Sequence, residues 1–286
     1  MKKTFLIALA ATALAAPAYA DHHGMSKAEH DKMHKEHSER LAKILADPAR
    51  GADAKRDQYR HPAETFEFFR LHPDHVIGEY APGGAWVSRI LGRYVNEKGK
   101  YTGLYFGTKS YFSDQQKTGI AAGIAKFPAD VAAVSGRPAT DFNAFSLSEV
   151  PEGAKGSFDR IIVMRMLHNM MNWNIADTEI KAMRDLLKDD GLLGIEQHRA
   201  KADAPFSYTN GTKGYMREAD IIKFMEVNGF DLVAKSEINA NPKDSANWPD
   251  GVWTLPPALR LKDVDRAKYE AIGETDRMTL LFKKRP

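Results

Sequence analysis

From His61 onward, short apolar runs alternate with stretches of helical periodicity. Pro62 to Arg70 reads as a short helix, with Pro at its first position and Phe66 and Phe69 on one side. His75 to Tyr80 predicts a strand that runs into Ala81-Pro82-Gly83-Gly84. Trp86 to Val95 follows as a helix with Val87, Ile90, Leu91 and Tyr94 on its apolar face. Lys100 to Phe106 predicts a second strand, and Val131 to Val134 a weak third. Phe158 to Met164 is the strongest core strand. A helix over Asp177–Leu187, a strand over Gly191–Gln197, a helix over Arg217–Val227 stopped by Asn228-Gly229, a strand over Phe230–Ile238 and a closing strand over Met278–Phe282 complete the pattern. Continuous apolar strands separated by helices imply a parallel sheet covered on both faces, a doubly wound α/β domain. Such sheets bind ligands outside the carboxyl ends of their strands. The turns after Glu79, Phe106, Met164 and Ile195 are therefore the candidate functional ones.

Residues 1–60 follow different patterns. Met1-Lys2-Lys3, the apolar run Thr4 to Ala16 and the small-residue triplet Ala18-Tyr19-Ala20 predict a cleaved export signal, with cleavage after Ala20. The run is short for a bilayer, which takes about 20 apolar residues. No later stretch is apolar enough to span one, so the expectation is a mature chain in the periplasm without a membrane span. Residues 21–60 form a polar arm holding His22, His23, His30, His34 and His37. Ser26-Lys27-Ala28-Glu29 is a capping box that starts a helix, Leu41, Ile44 and Leu45 form a short apolar stripe, and Asp47-Pro48 and Gly51 stop it. His30, His34 and His37 fall on one helical face. They read either as a solvated surface or as a weak metal chelate, and no metal site is assigned.

Composition narrows the chemistry. The chain has 286 residues and no cysteine, which removes disulfides, thiolate metal sites and a Cys nucleophile. Its formal charge of +3 includes Lys2 and Lys3 of the signal. Residues 21–60 carry nine basic and eight acidic side chains, and residues 61–286 carry 30 of each. A neutral domain has no electrostatic footprint for nucleic acid, so the expected partner is a small-molecule substrate. The G-x-S-x-G and H-E-x-x-H motifs are absent as well.

The turns supply candidate residues. Glu79-Tyr80-Ala81-Pro82-Gly83-Gly84-Ala85-Trp86 sets an acid at a strand end before a Gly pair and a helix start. His168-Asn169 follows the strongest strand, where His168 reads either as a base or substrate orienter or as a structural histidine. Glu196-Gln197-His198-Arg199 adds a carboxylate, an imidazole and a guanidinium, and an ion pair of Glu196 with Arg199 or a neighbour is the structural alternative. The loop Asn239–Pro257, with Trp248 and Trp253, either covers a ligand or plugs the sheet end.

This order of parts resembles class I S-adenosylmethionine-dependent methyltransferases, and more closely a group of exported bacterial methyltransferase-like proteins. The resemblance covers His61 to Pro286. It rests on His61-Pro62-Ala63-Glu64-Thr65, the Glu79-x-x-Pro82-Gly83-Gly84-x-Trp86 turn, His168-Asn169, Glu196-x-His198-Arg199-Ala200, the Ser236–Pro242 run with Gly251–Pro257, and Arg277-Met278-Thr279-Leu280. It implies a Rossmann-like seven-stranded sheet with one reversed strand near the C-terminus, preceded by the helical arm. It implies S-adenosylmethionine over the first turn, held by Glu79, Ala81, Pro82, Gly83 and Gly84, with His168, Asn169 and His198 as catalytic candidates. Ala81 and Ala85 stand where the family has its outer glycines, and the second strand lacks the acid that holds the ribose hydroxyls. The function implied is methyl transfer to a small molecule or envelope component. The alternative is a degenerate relative that binds a small ligand or metal without catalysis.

Overall fold

In the computed structural model, residues 26–286 are described, apart from Gly84 and the His30 side chain. The expected export signal, His22 and His23 lie outside the described residues. Seven strands form one sheet: β1 Val76–Tyr80, β2 Lys100–Tyr105, β3 Phe142–Ser146, β4 Phe158–Met164, β5 Leu187–His198, β6 Phe230–Ser236 and β7 Arg277–Lys284. The helices are α1 Lys27–Leu45, α2 Asp57–Arg60, α3 Pro62–Phe68, α4 Trp86–Tyr94, α5 Asp114–Ser135, α6 Leu167–Asn172, α7 Ala176–Leu186, α8 Phe206–Thr209, α9 Glu218–Val227 and α10 Arg266–Ile272.

The strand order is β3-β2-β1-β4-β5-β7-β6. The first five strands are parallel, and β7 runs antiparallel to both β5 and β6. This is the seven-stranded Rossmann-like arrangement of class I methyltransferases, reversed strand included. The pleat of β4 divides the core: Ile161 and Val163 face one apolar layer with α7 and α9, while Ile162 and Met164 face another with α4 and α5. The order reverses between β1 and β4, which puts the crevice at the carboxyl ends of those two strands.

One expected strand is corrected. Val131–Val134 is the last turn of α5, and the third strand is Phe142–Ser146. A short apolar run does not distinguish strand from helix by periodicity. The deciding signals were the capping box Ser113–Gln116 at the start of α5 and Gly136, left-handed at φ +73°, at its end.

The polar arm is docked along much of its length. The capping box at Ser26 and Glu29 starts α1 as expected. Leu41 is buried in the α4–α5 layer, and Arg40 donates to Tyr94 O at 2.6 Å. Trp86 Nε1 donates to Asp53 O at 3.1 Å, and Arg93 pairs with Asp47 at 2.8 Å. Among the described residues no helix is long and apolar enough to cross a membrane.

Candidate cofactor site

β1 ends at Tyr80, and Ala81 keeps the strand's register by donating to Leu104 O at 2.7 Å. The chain then turns through Pro82 and Gly83 into α4. Ala81 and Ala85 are both left-handed, at φ +50° and +53°. The resemblance puts outer glycines at these positions, and here methyl groups stand at both places on left-handed backbone. L-residues enter this region at a cost of about 1–2 kcal/mol each. A Cβ built at Gly83 would approach nothing but Ala81 O, at 3.6 Å. The turn therefore leaves its own backbone room for a ligand. Gly84, the other expected cofactor residue here, lies outside the described residues.

Glu79 is buried beneath this turn. Its Oε2 accepts from Ser88 Oγ on α4 at 2.8 Å and from the Tyr101 hydroxyl on β2. Burial pushes the carboxyl's pKa up, against the pull of Tyr101, Ser88 and Arg165. Glu79 thus ties together the three elements that shape the turn.

The carboxyl end of β2 carries no acid, as the sequence indicates, but a carboxylate reaches it from elsewhere. Gly107 N–H donates to Oε1 of Glu179 on α7 at 3.0 Å. Glu179 is buried, its pKa is pushed up by burial, and its Oε2 accepts no hydrogen bond among the described residues. Sequence reasoning missed it because helix periodicity marks Glu179 only as one acid in the first turn of α7. Beside the same strand end, Tyr105, Phe106, Phe112, Ile120 and Trp173 line an apolar cavity of about 260 Å³.

The structure brings His168 and His198 together, with ring centroids 5.6 Å apart. Trp253 lies 6.0 Å from His168, which places the expected Trp-containing loop at this site. Trp248 is turned away, with its Nε1 bound to Asp244 at 2.7 Å. His168 Nδ1 faces the Gln197 amide at 3.2 Å, and His198 Nδ1 lies 2.6 Å from Thr275 Oγ1. Each ring is thus held through Nδ1, and Nε2 is the nitrogen left to meet a ligand. Asn169 is not part of this pair; its amide goes to the Met166 sulfur at 3.4 Å.

Burial lowers the His168 pKa to about 4, and burial, with His168 and nearby guanidiniums, takes His198 well below its usual range. Both rings are neutral at pH 7. A depressed histidine pKa contributes stability that is present above the unfolded value of about 6.5 and is lost as pH falls towards 4. Proton NMR of the ring Cε1–H resonances checks this: neither resonance shifts between pH 5.5 and 8, whereas an inflection near 6.5 contradicts it.

Glu196 and Arg199 do not pair with each other. Glu196 is wholly buried between Arg165, at 2.8 Å, and Arg277, at 2.7 Å. Arg199 pairs with Asp276 at 2.9 Å and with Glu237 at 2.7 Å. Its guanidinium is engaged in the fold by these pairs.

No family model and no curated protein sequence matches this chain. Solved structures do. The fold is similar to that of the (4+2)-cyclase SpnF, with TM-score 0.50, 19% identity and coverage of 79% of this chain and 81% of that one. It is similar to the MccD protein, with TM-score 0.51, 10% identity and coverage of 79% and 96%. A SAM-dependent methyltransferase from Aquifex aeolicus aligns with TM-score 0.46 and 14% identity over 70% of this chain and 93% of that one. What is shared at these identities is the fold.

Proposed function

We propose that this chain is an S-adenosylmethionine-dependent methyltransferase that acts on a small molecule or envelope component after export to the periplasm. The observation that carries the reading is the β1–α4 turn. Its backbone is left-handed at Ala81 and Ala85, open at Gly83, and anchored from below by the buried Glu79. The apolar cavity lined by Phe106 and Trp173 suits a planar ring. When bound, S-adenosylmethionine supplies an electrophilic methyl group on a sulfonium.

The protein's part in methyl transfer is to orient the acceptor in line with that group and to exclude water. His168 Nε2 accepts a hydrogen bond from the acceptor's O–H or N–H. At a pKa of about 4 it orients a nucleophile more than it removes its proton. Nδ1–H donates to Gln197 Oε1 at 3.4 Å, which fixes the ring and leaves Nε2 as its accepting nitrogen.

A second reading, ligand binding without chemistry, draws on that same weak basicity and on the acid-free end of β2. Calorimetric titration of the purified chain with S-adenosylmethionine and S-adenosylhomocysteine tests the proposal. Saturable binding of both is expected, and no saturable heat at millimolar ligand would sink it. Transfer of labelled methyl to a periplasmic extract then separates catalysis from binding alone.

A further inference from the structure

We propose that His37, His72, Asp74 and His75 form a binding site for a divalent transition metal ion, with zinc the ion their chemistry fits best. The site lies before β1, at the opposite end of that strand from the cofactor crevice, and is independent of methyl transfer.

The donors come from two segments. His72, Asp74 and His75 belong to the turn that feeds β1, and each offers a ligand atom within 4.8 Å of the others. The turn is closed by His75 N–H donating to His72 O at 3.2 Å, which sets the two imidazoles side by side with centroids 4.5 Å apart. His37 comes from α1, with its ring 4.9 Å from that of His72. Three imidazoles and a carboxylate make a four-donor N₃O set, which suits tetrahedral zinc at bonds of about 2.0–2.2 Å. Ligand atoms on such an ion stand about 3.3 Å apart. Closing His72, Asp74 and His75 onto the ion therefore takes shifts of roughly 1.5 Å or less, and His37 joins them from outside that group by a movement of its ring. His75 Nδ1 accepts a long 3.3 Å bond from His72 N–H.

The fold also sorts the histidines of the arm. His34, three residues before His37 on α1, lies 3.5 Å from Glu67 instead of in the cluster. The proposed site thus takes only His37 of the three histidines that helical spacing puts on one face, and it joins the arm to the α/β domain. A metal there ties α1 to the strand that leads to the cofactor turn.

The full chain, stripped with EDTA and titrated with zinc by calorimetry, tests the assignment. One zinc per chain is expected. His72→Ala and His75→Ala should each weaken binding by more than the roughly 10-fold typical of losing an outer-shell partner. Asp74→Asn, at an exposed position where the fold is not at risk, should weaken it by about 10-fold. His34→Ala and the double variant His22→Ala/His23→Ala should bind as the parent does. Absence of saturable binding, parental affinity in Asp74→Asn, or loss of binding in His34→Ala or the double variant overturns the proposal. Circular dichroism on each variant establishes that it is folded, and Asp74→Asn decides if the histidine variants are not.

Discussion

Glu196→Ala should lower the stability of this protein by about 3–5 kcal/mol, the usual cost of breaking a buried ion pair by removing one partner. At this chain length that corresponds to a fall in melting temperature on the order of 10 °C. The reason is a charge imbalance inside the fold. Glu196 and Glu274 are buried among the guanidiniums of Arg56, Arg60, Arg165 and Arg277. Arg277 is 1% exposed and bridges both acids, at 2.7 Å to Glu196 and 2.9 Å to Glu274. With four cations around two anions, each carboxylate screens repulsion among the arginines as well as pairing with them. Burial opposes ionisation of Glu196, but Arg165, Arg277 and Arg60 together hold its pKa below the usual carboxylate range. Removing an acid should therefore cost more than removing a cation. Arg277→Met, which keeps most of the volume, should be the milder change. Urea denaturation at pH 7 measures both, and a milder effect of Glu196→Ala than of Arg277→Met contradicts the charge argument.

The same cluster sets an acid limit. Burial raises the Glu274 pKa, but Arg277, Arg60 and Arg56 outweigh it and hold the group at about 2. A depressed carboxylate contributes stability that is present above its unfolded value near 4.5 and is lost as pH falls towards 2. The melting temperature of the parent should accordingly decline below about pH 4.5.

This network shows where the sequence ceased to be legible. Strands such as Phe158–Met164 could be read from their apolar runs, and the Glu79–Trp86 turn from its acid and glycines, because those signals are local. The partners of Glu196 are not local: Arg165 lies 31 positions away, and Arg277 stands on the reversed strand. Nothing in a one-dimensional pattern distinguishes Arg277 from the solvated arginines around it. The pairing of His168 with Gln197, across 29 positions, depends likewise on the register of β4 against β5. Glu179 and the His72–His75 turn were overlooked for a related reason. Each takes its meaning from a segment that folds against it, Gly107 in one case and α1 in the other. The left-handed backbone at Ala81 and Ala85 shows the reverse: the residue type suggested a lost glycine motif, while the backbone at both places adopts the conformation glycine favours.

Glu79→Gln should separate the structural work of this residue from its work on the cofactor. Both hydrogen bonds it accepts, from Ser88 and Tyr101, converge on Oε2. That arrangement leaves Oε1 as the oxygen able to meet a ligand. A glutamine can present its amide oxygen at the Oε2 position and keep both bonds, so stability should change by less than about 1 kcal/mol. The amide nitrogen then replaces Oε1, and a ligand donor aimed there loses a charged acceptor. Hydrogen bonds to charged groups are worth about 1.5–3 kcal/mol, so S-adenosylmethionine should bind roughly 10- to 100-fold more weakly. Glu79→Ala should lose both functions, since it leaves the buried Tyr101 and Ser88 hydroxyls without their acceptor. Calorimetric affinity and urea stability, measured on the same two variants, check the separation. If Glu79→Gln binds the cofactor as the parent does while Glu79→Ala loses stability, Glu79 acts through the turn alone. In that case the cofactor is held by the backbone from Ala81 to Ala85.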